Sequence, residues 1–394
     1  MNKAAEEGIR QTIRRAMEDG VTAGASVLVM RDGKEALYLE EGFADREQQK
    51  PIRRDTIFRL YSMSKPITAA AAMILMERGL IDLEEPVAAY LPEFADQYIE
   101  KDGCFTKVGE PMKLIHLLNM TSGLTYGGEN PGPERKTQAL LNEYCRKVHS
   151  EDAVTTREFA GRLGKIPLLF QPGRGWRYSL SADVLGAVIE AASGMRFGEF
   201  LEKELFAPLG MKDTGFWVPE SRQDRLVSAY GSDGHGGMEP YTGDHLIINY
   251  RMDCPPAFES GGAGLVSTID DYSRFAQMLL GKGELDGVRV LSEKTVEYMT
   301  SGGLNQWEKQ AFESEFGLFL PGYTYSHLMR IMQDPGRASV IGSRGEYGWD
   351  GWLGCYFANL PERNMTILLM QQKKDAGTIP MTRKIRNIIC SEKD

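Results

Sequence analysis

Phe58-Arg-Leu-Tyr-Ser-Met-Ser-Lys-Pro-Ile-Thr68 runs into Ala69-Ala-Ala-Ala-Met-Ile-Leu-Met-Glu-Arg78, and Gly79 ends the run. Proline near the start and glycine at the end are the punctuation of an α-helix. Ser62 and Lys65 stand three residues apart, so at helical spacing their side chains share one face. Ser62 then sits at the helix N-terminus, where unpaired amides and the dipole favour developing negative charge. The same field, with partial burial, disfavours a protonated lysine. A neutral lysine beside a hydroxyl is an activating base for a serine nucleophile. Ser-x-x-Lys is also short enough that a chain of this length holds about one by chance. Its meaning depends on what surrounds it.

Upstream, Ile9, Ile13 and Met17 repeat at four-residue spacing, the mark of an amphipathic helix. Ala25–Met30 and Glu35–Glu40 flank Arg31-Asp-Gly-Lys34, a hairpin signal. Downstream, helical patterns dominate to about residue 290. Ala182–Ala192 reads as a helix capped by Ser179 or Ser181 and stopped by Gly194, and Asp270–Leu280 as another. Residues 228 to 263 are rich in Gly, Pro, Asp and Ser and read as a long loop. Strands return at Gly354–Ala358 and Met365–Met370 around the turn Asn359–Asn364, and Lys373–Ile389 reads as a closing helix. Strands at both ends and helices between predict one sheet built from the two termini, with a helical region inserted. A groove at such a boundary is a common place for a site.

The 394 residues correspond to roughly two to three domain-sized units. With 42% hydrophobic and 26% charged residues, the balance is globular rather than disordered. A net charge of −9 without a long basic run argues against nucleic-acid binding. The longest uncharged apolar run, Ile67–Met76, is too short to cross a bilayer, which takes about 20 residues. The N-terminus has no apolar core of a secretory signal. Cys104, Cys145, Cys254, Cys355 and Cys390 show no Cys-x-x-Cys pair. Free thiols without an export signal predict a cytoplasmic protein. The five histidines show no metal-ligand spacing, and neither Gly-x-Ser-x-Gly, His-Glu-x-x-His nor a phosphate-binding loop occurs.

Two further segments hold candidate chemistry. Tyr178, in Trp176-Arg-Tyr-Ser-Leu-Ser181, feeds the 182–192 helix; a tyrosine near a cation can shuttle protons. Trp349-Asp-Gly-Trp352 opens a C-terminal strand, and its glycine marks close approach of a ligand to backbone. An edge N–H there, with that of Ser62, would form an oxyanion hole. Trp176, Tyr347, Trp349 and Trp352 are candidates to line an acyl pocket.

With these three segments in order, the chain resembles the class C β-lactamase and penicillin-binding-protein-like serine hydrolases. More narrowly it is similar to the family VIII carboxylesterases and related transesterases. Leu80–Val87, Tyr90–Phe94, His116–Leu118, Thr121-Ser-Gly-Leu124, Phe170-Gln-Pro-Gly173, Tyr178–Gly186 and Ser260–Thr268 match in sequence order. The resemblance implies Ser62 as the acylated nucleophile, Lys65 as its base partner and Tyr178 as a proton relay. It implies the N–H groups of Ser62 and Trp352 as oxyanion donors, and leaves open whether Lys65 or Tyr178 takes the first proton. Two departures stand out. The usual Tyr-x-Asn has Leu180 in its third position, and the usual Lys-Thr-Gly is Trp349-Asp350-Gly351. The missing groups normally hold the amide and carboxylate of a β-lactam or peptide, and losing them loses that discrimination. Asp350 also repels a substrate carboxylate unless it points away or Arg344 compensates.

The expected fold is therefore α/β (α+β) and β-lactamase/transpeptidase-like, an antiparallel sheet flanked by helices plus a mostly helical inserted domain. Residues 1–60 and 271–394 would form the sheet domain and 61–270 the helical one, with the site between. The expected function is a serine carboxylesterase or acyltransferase on small neutral esters, through acyl-Ser62, without metal or cofactor. Trp349, Asp350, Gly351, Leu180, Tyr347 and Trp176 are the substrate-binding candidates. The expected partner is the small-molecule ester, with neither nucleic acid nor membrane. A β-lactamase or D-amino-acid peptidase is the alternative, and a non-catalytic penicillin sensor a second.

Overall fold

In the computed structural model, which describes residues 1–392, both ends of the chain build one antiparallel sheet. Its strands are β1 (Gly24–Arg31), β2 (Lys34–Asp45), β3 (Lys50–Pro51), β4 (Tyr323–Ser326), β5 (Met329–Met332), β6 (Tyr347–Asp350), β7 (Tyr356–Leu360) and β8 (Met365–Met370). They lie in the order β4-β5-β6-β7-β8-β1-β2-β3. Asp32 and Gly33 both take positive φ, 52° and 71°, as the tight turn between β1 and β2 demands. The C-terminal strand β8 pairs with β1, Val27 opposite Leu369 and Leu28 opposite Leu368.

Period-two alternation sends side chains to two different cores. Val27, Val29, Ile367 and Leu369 meet α1 (Lys3–Glu18) and the closing helix Pro380–Ser391 through Ile9, Ile13, Ile385 and Ile389. Leu28, Leu368 and Met370 face the opposite way, into the core shared with the helical region. Each fully buried aliphatic side chain there contributes about 1.5–3 kcal/mol.

The helix after Ser62, α2 (Ser64–Glu77), is buried from Ser64 to Leu75. A helix apolar on every side has no solvent face to offer. Its four alanines, Ala69–Ala72, keep it thin enough to pack closely on α3 (Ser181–Ser193). A short ladder, Phe58–Arg59 on Val266–Ser267, ties the start of the Ser62 segment to the loop ending at Leu265, and Leu60 N–H donates to the Leu265 carbonyl at 2.9 Å.

The structure corrects three expectations. Residues 228–263 are not one loop: Ala229–Ser232 and Met238–Tyr241 pair as a hairpin. Its tip is polar because Asp233 accepts from the N–H groups of His235 and Gly237 at 2.8 Å, so its composition reads as loop. The closing helix begins at Pro380, not Lys373. Asp375 and Gly377 take positive φ, 59° and 36°, which breaks a right-handed helix, and Lys373, Lys374 and Ala376 N–H donate to the carbonyls of Leu353, Tyr230 and Trp352. The 181–193 helix takes no serine cap; Leu180 holds that position, and the hydroxyls of Ser179, Ser181 and Ser122 bond one another at 2.8 Å. The helix Gln306–Phe316 and the β4–β5 hairpin are additional elements. Among the described residues no helix is long and apolar enough to cross a membrane.

Candidate active site

Tyr61 takes φ of 46°, a left-handed conformation that a bulky residue adopts only when its surroundings impose it. This sharp bend turns the strand residues Phe58–Arg59 into the Tyr61–Met63 turn and α2, and presents Ser62 at the head of the helix. Beside it runs the end of β6. A β-carbon on Gly351 would stand 2.3 Å from the Leu60 carbonyl oxygen, so only glycine lets the two backbones approach this closely. The close neighbour of this glycine is protein backbone. Gly351→Ala must push Trp349–Trp352 away from Ser62. The expected loss is about 100-fold in kcat/KM, measured with a chromogenic ester, since misplacing reacting groups by about 1 Å costs that much.

Lys65 Nζ lies 3.1 Å from Ser62 Oγ, 2.8 Å from Tyr126 OH and 2.8 Å from the Gly262 carbonyl oxygen. A neutral amine has two protons and one lone pair. The carbonyl can only accept, so it takes one N–H. When the Tyr126 oxygen takes the other, the lone pair is left for the Ser62 hydroxyl. Burial pushes the Lys65 pKa down to about 7, outweighing the opposing pull of Asp183 and Asp350.

Tyr178 stands on the other side of that amine, with Nζ 4.7 Å from its ring centroid. The Trp349 indole N–H donates to Tyr178 OH at 3.0 Å. Burial raises the phenol pKa far above its ordinary value, although the Ser62 hydroxyl and the indole pull it down. A neutral indole thus occupies the place where a cation would favour a phenolate. Burial thus favours a neutral Tyr178 hydroxyl, and near neutral pH Lys65 is the one of the two that loses its proton more readily.

The loop Ser260–Gly264 forms the floor. A β-carbon on Gly261 would meet the Ala182 carbonyl at 2.3 Å, and one on Gly262 would meet Asp183 Oδ2 at 2.7 Å. Asp183 Oδ1 accepts from Ser260 Oγ at 2.5 Å and from Gly262 N–H at 3.2 Å. It thereby sets the carbonyl that holds Lys65. Burial raises the Asp183 pKa, against the pull of Ser260 and Lys65.

A cleft of about 920 Å³ opens at Ser62 and Tyr178. Trp349, Asp350, Gly351 and Trp352 line it, with Phe316–Leu320 and Asp375–Pro380 as further walls. Asp350 accepts from Thr378 Oγ1; Thr378, not the exposed Arg344, is its partner. The Trp352 indole donates to Asp375 Oδ1 at 2.6 Å, and its ring stacks on His245 at 4.2 Å. Three substrate-binding candidates lie outside the cleft. Leu180 is buried at the head of α3. Tyr347 stands two residues up β6 and its OH accepts from Asn359 in the core. Trp176 packs behind Tyr178, ring on ring at 6.2 Å. Their residue types suggested a pocket; their backbone positions turn them into the core. Two residues of the site carry no expectation from sequence: Tyr126, two places beyond Thr121–Leu124, and Asp183, five beyond Tyr178. Tyr126→Phe removes one partner of Lys65 and is expected to lower kcat about 2- to 10-fold, the worth of one hydrogen bond. Steady-state ester hydrolysis checks it.

Among the described residues no group of three or more His, Cys, Asp or Glu is placed to hold a metal ion. The β-lactamase profile matches residues 9–387. The chain belongs to the β-lactamase family. Within this β-lactamase family it is a serine hydrolase, and Protein Rv1367c of Mycobacterium tuberculosis is 31% identical over 93% of this chain and 90% of its own. Esterase EstB of Burkholderia gladioli is 29% identical over 95% and 92%. The solved structure of EstCE1, a hydrolase with promiscuous acyltransferase activity, superposes with a TM-score of 0.83, 26% identity and 99% coverage of both chains. The expected fold is thereby borne out.

Proposed function

We propose that the chain is a serine carboxylesterase with acyl-transfer capacity, acting on neutral esters through an acyl-Ser62 intermediate. The observation that carries this is the buried Lys65 amine, 3.1 Å from Ser62 Oγ and held by Tyr126 OH and the Gly262 carbonyl. As Oγ attacks the ester carbonyl carbon, its proton passes to Lys65. The oxyanion forms against the N–H groups of Ser62 and Trp352. The carbon–oxygen bond to the alcohol then breaks, and the leaving oxygen takes a proton through Tyr178. Water or a second alcohol attacks the acyl carbon in the same way, and Ser62 recovers its proton. Similarity to Esterase EstB supports the ester chemistry, and similarity to EstCE1, a hydrolase with promiscuous acyltransferase activity, supports the acyl transfer.

A neutral substrate follows from Asp350 in the cleft wall and from Trp349 where a cation would pair a carboxylate. Residues 1–60 and 271–394 as one domain and 61–270 as the other fit a sheet drawn only from residues 24–51 and 323–370. Five free thiols support a reducing, cytoplasmic setting.

Intact-protein mass spectrometry with a panel of esters and β-lactams tests the reading. An acyl adduct that maps to Ser62 and clears in water is the expected result. No adduct from any ester, or stable adducts from β-lactams alone, would overturn it. The pH profile gives an independent check. Only neutral Lys65 can take the proton, so kcat/KM should climb about tenfold per pH unit below about 7 and level off above it.

A further inference from the structure

The helix Gln306–Phe316 ends in Phe316-Gly-Leu-Phe-Leu-Pro321, and Phe316, Leu318, Phe319 and Leu320 all line the cleft that holds Ser62. Leu318 is 95% exposed and Phe319 74%, the two highest values among the large hydrophobic side chains described. Scattered exposed apolar residues are ordinary and need no explanation. Here they are consecutive, and they continue inward through Leu320 and Phe316, whose ring lies 5.5 Å from that of Tyr178. The result is one apolar strip from the reacting hydroxyl to open solvent. Ile379 and Pro380 add apolar surface to the same cleft. Its volume of about 920 Å³ suits a drug-sized molecule and far exceeds what an acetyl or butyryl ester fills. The charged lining residues come from other segments, and each makes a hydrogen bond within the wall. Asp350 holds Thr378, Asp375 holds the Trp352 indole, and Arg383 donates to the Thr378 carbonyl.

We propose that one arm of the ester substrate is an extended apolar chain, seated along Phe316–Leu320 with its far end covering Leu318 and Phe319. The proposal rests on the esterase reading of Ser62 and narrows its substrate class. The occupant is the substrate itself, because the strip is continuous with the nucleophile's cleft.

The test uses two ester series, each run below the concentration at which the ester aggregates. One lengthens the acyl chain of p-nitrophenyl esters from two to ten carbons; the other lengthens the alkyl arm of acetate esters. In one series kcat/KM should rise about two- to fourfold per added methylene, the gain from burying it. Leu318→Ser should flatten that rise, lowering the eight-carbon to two-carbon ratio by about threefold or more, and Phe319→Ser should do likewise. Leu318→Met should keep the slope. A side chain this exposed carries almost no packing in the free protein, so the Leu318 variants fold. The ratio reads the slope whatever each variant does to overall rate.

Both series level beyond four carbons, or an unchanged slope in both serine variants, would overturn the proposal. So would a rate that jumps only once the ester aggregates, since that means adsorption to a surface rather than a seat for one chain. These outcomes leave short-ester turnover and acyl-Ser62 in place. Absence of both defeats the esterase reading instead, so the two failures are distinguishable.

Discussion

Ser62→Ala is expected to lower kcat for a chromogenic ester by about 10⁴-fold or more, and Lys65→Met by about 10³-fold or more, while the double variant is no slower than Ser62→Ala alone. The reason is that the two groups act as one unit. Without Oγ there is no acyl-enzyme for Lys65 to assist. Without the amine, the hydroxyl keeps its proton at neutral pH. The backbone N–H groups and the cleft remain in both variants, so a residual rate above that of water is expected. Methionine suits position 65 because the side chain is fully buried and an apolar chain of similar length fills its path. Losses that multiply in the double variant would mean that Ser62 and Lys65 act independently, and would remove the acyl-Ser62 mechanism.

Glu346→Ala is expected to destabilise the protein by about 3–5 kcal/mol, read as a lower denaturation midpoint. Glu346 is fully buried and Arg386 is 2% exposed, and both terminal guanidinium nitrogens of Arg386 reach the carboxylate. Tyr323 OH donates to the same carboxylate at 3.0 Å, and the guanidinium also donates to Tyr356 OH and to the Ile341 carbonyl. Removing the carboxylate strands a cation between the sheet and the closing helix. Replacing both partners, as Glu346→Leu with Arg386→Met, removes the stranded charge and should recover most of the loss. A single-variant cost below about 1 kcal/mol would mean that water reaches Arg386.

The sequence carries the parts of this molecule that depend on local chemistry. Asp32-Gly33 announces its hairpin because Asp-Gly is one of the few residue pairs that tolerate two positive φ values cheaply. The alanine run after Ser62 and the order of the three motif segments point to Ser62, Lys65 and Tyr178, which the structure brings together. What stays illegible depends on distant backbone. Lys373–Ile379 reads as the start of a helix, yet its docking on Leu353, Tyr230 and Trp352 goes with positive φ at Asp375 and Gly377. Tyr347 and Trp349 share one face of one strand, and only the cleft's position separates a core residue from a wall. Tyr126 looks like any loop tyrosine until Lys65 is found 2.8 Å away.

The pairing of β1 with β8 also sets a schedule. Arg31 and Met365 are cross-strand partners 334 residues apart. At ribosomal speeds of about 5–20 residues per second, β1 waits on the order of 20 to 70 s for that partner to be made. Until then its edge is open to any extended chain nearby. The helical region around α2 emerges in that interval and can fold first, which orders the seat of Ser62. The opposite wall, Trp349 to Trp352, reaches it only when the last strands dock. A ribosome-bound chain cut short before residue 365 should therefore carry the nucleophile and remain inert.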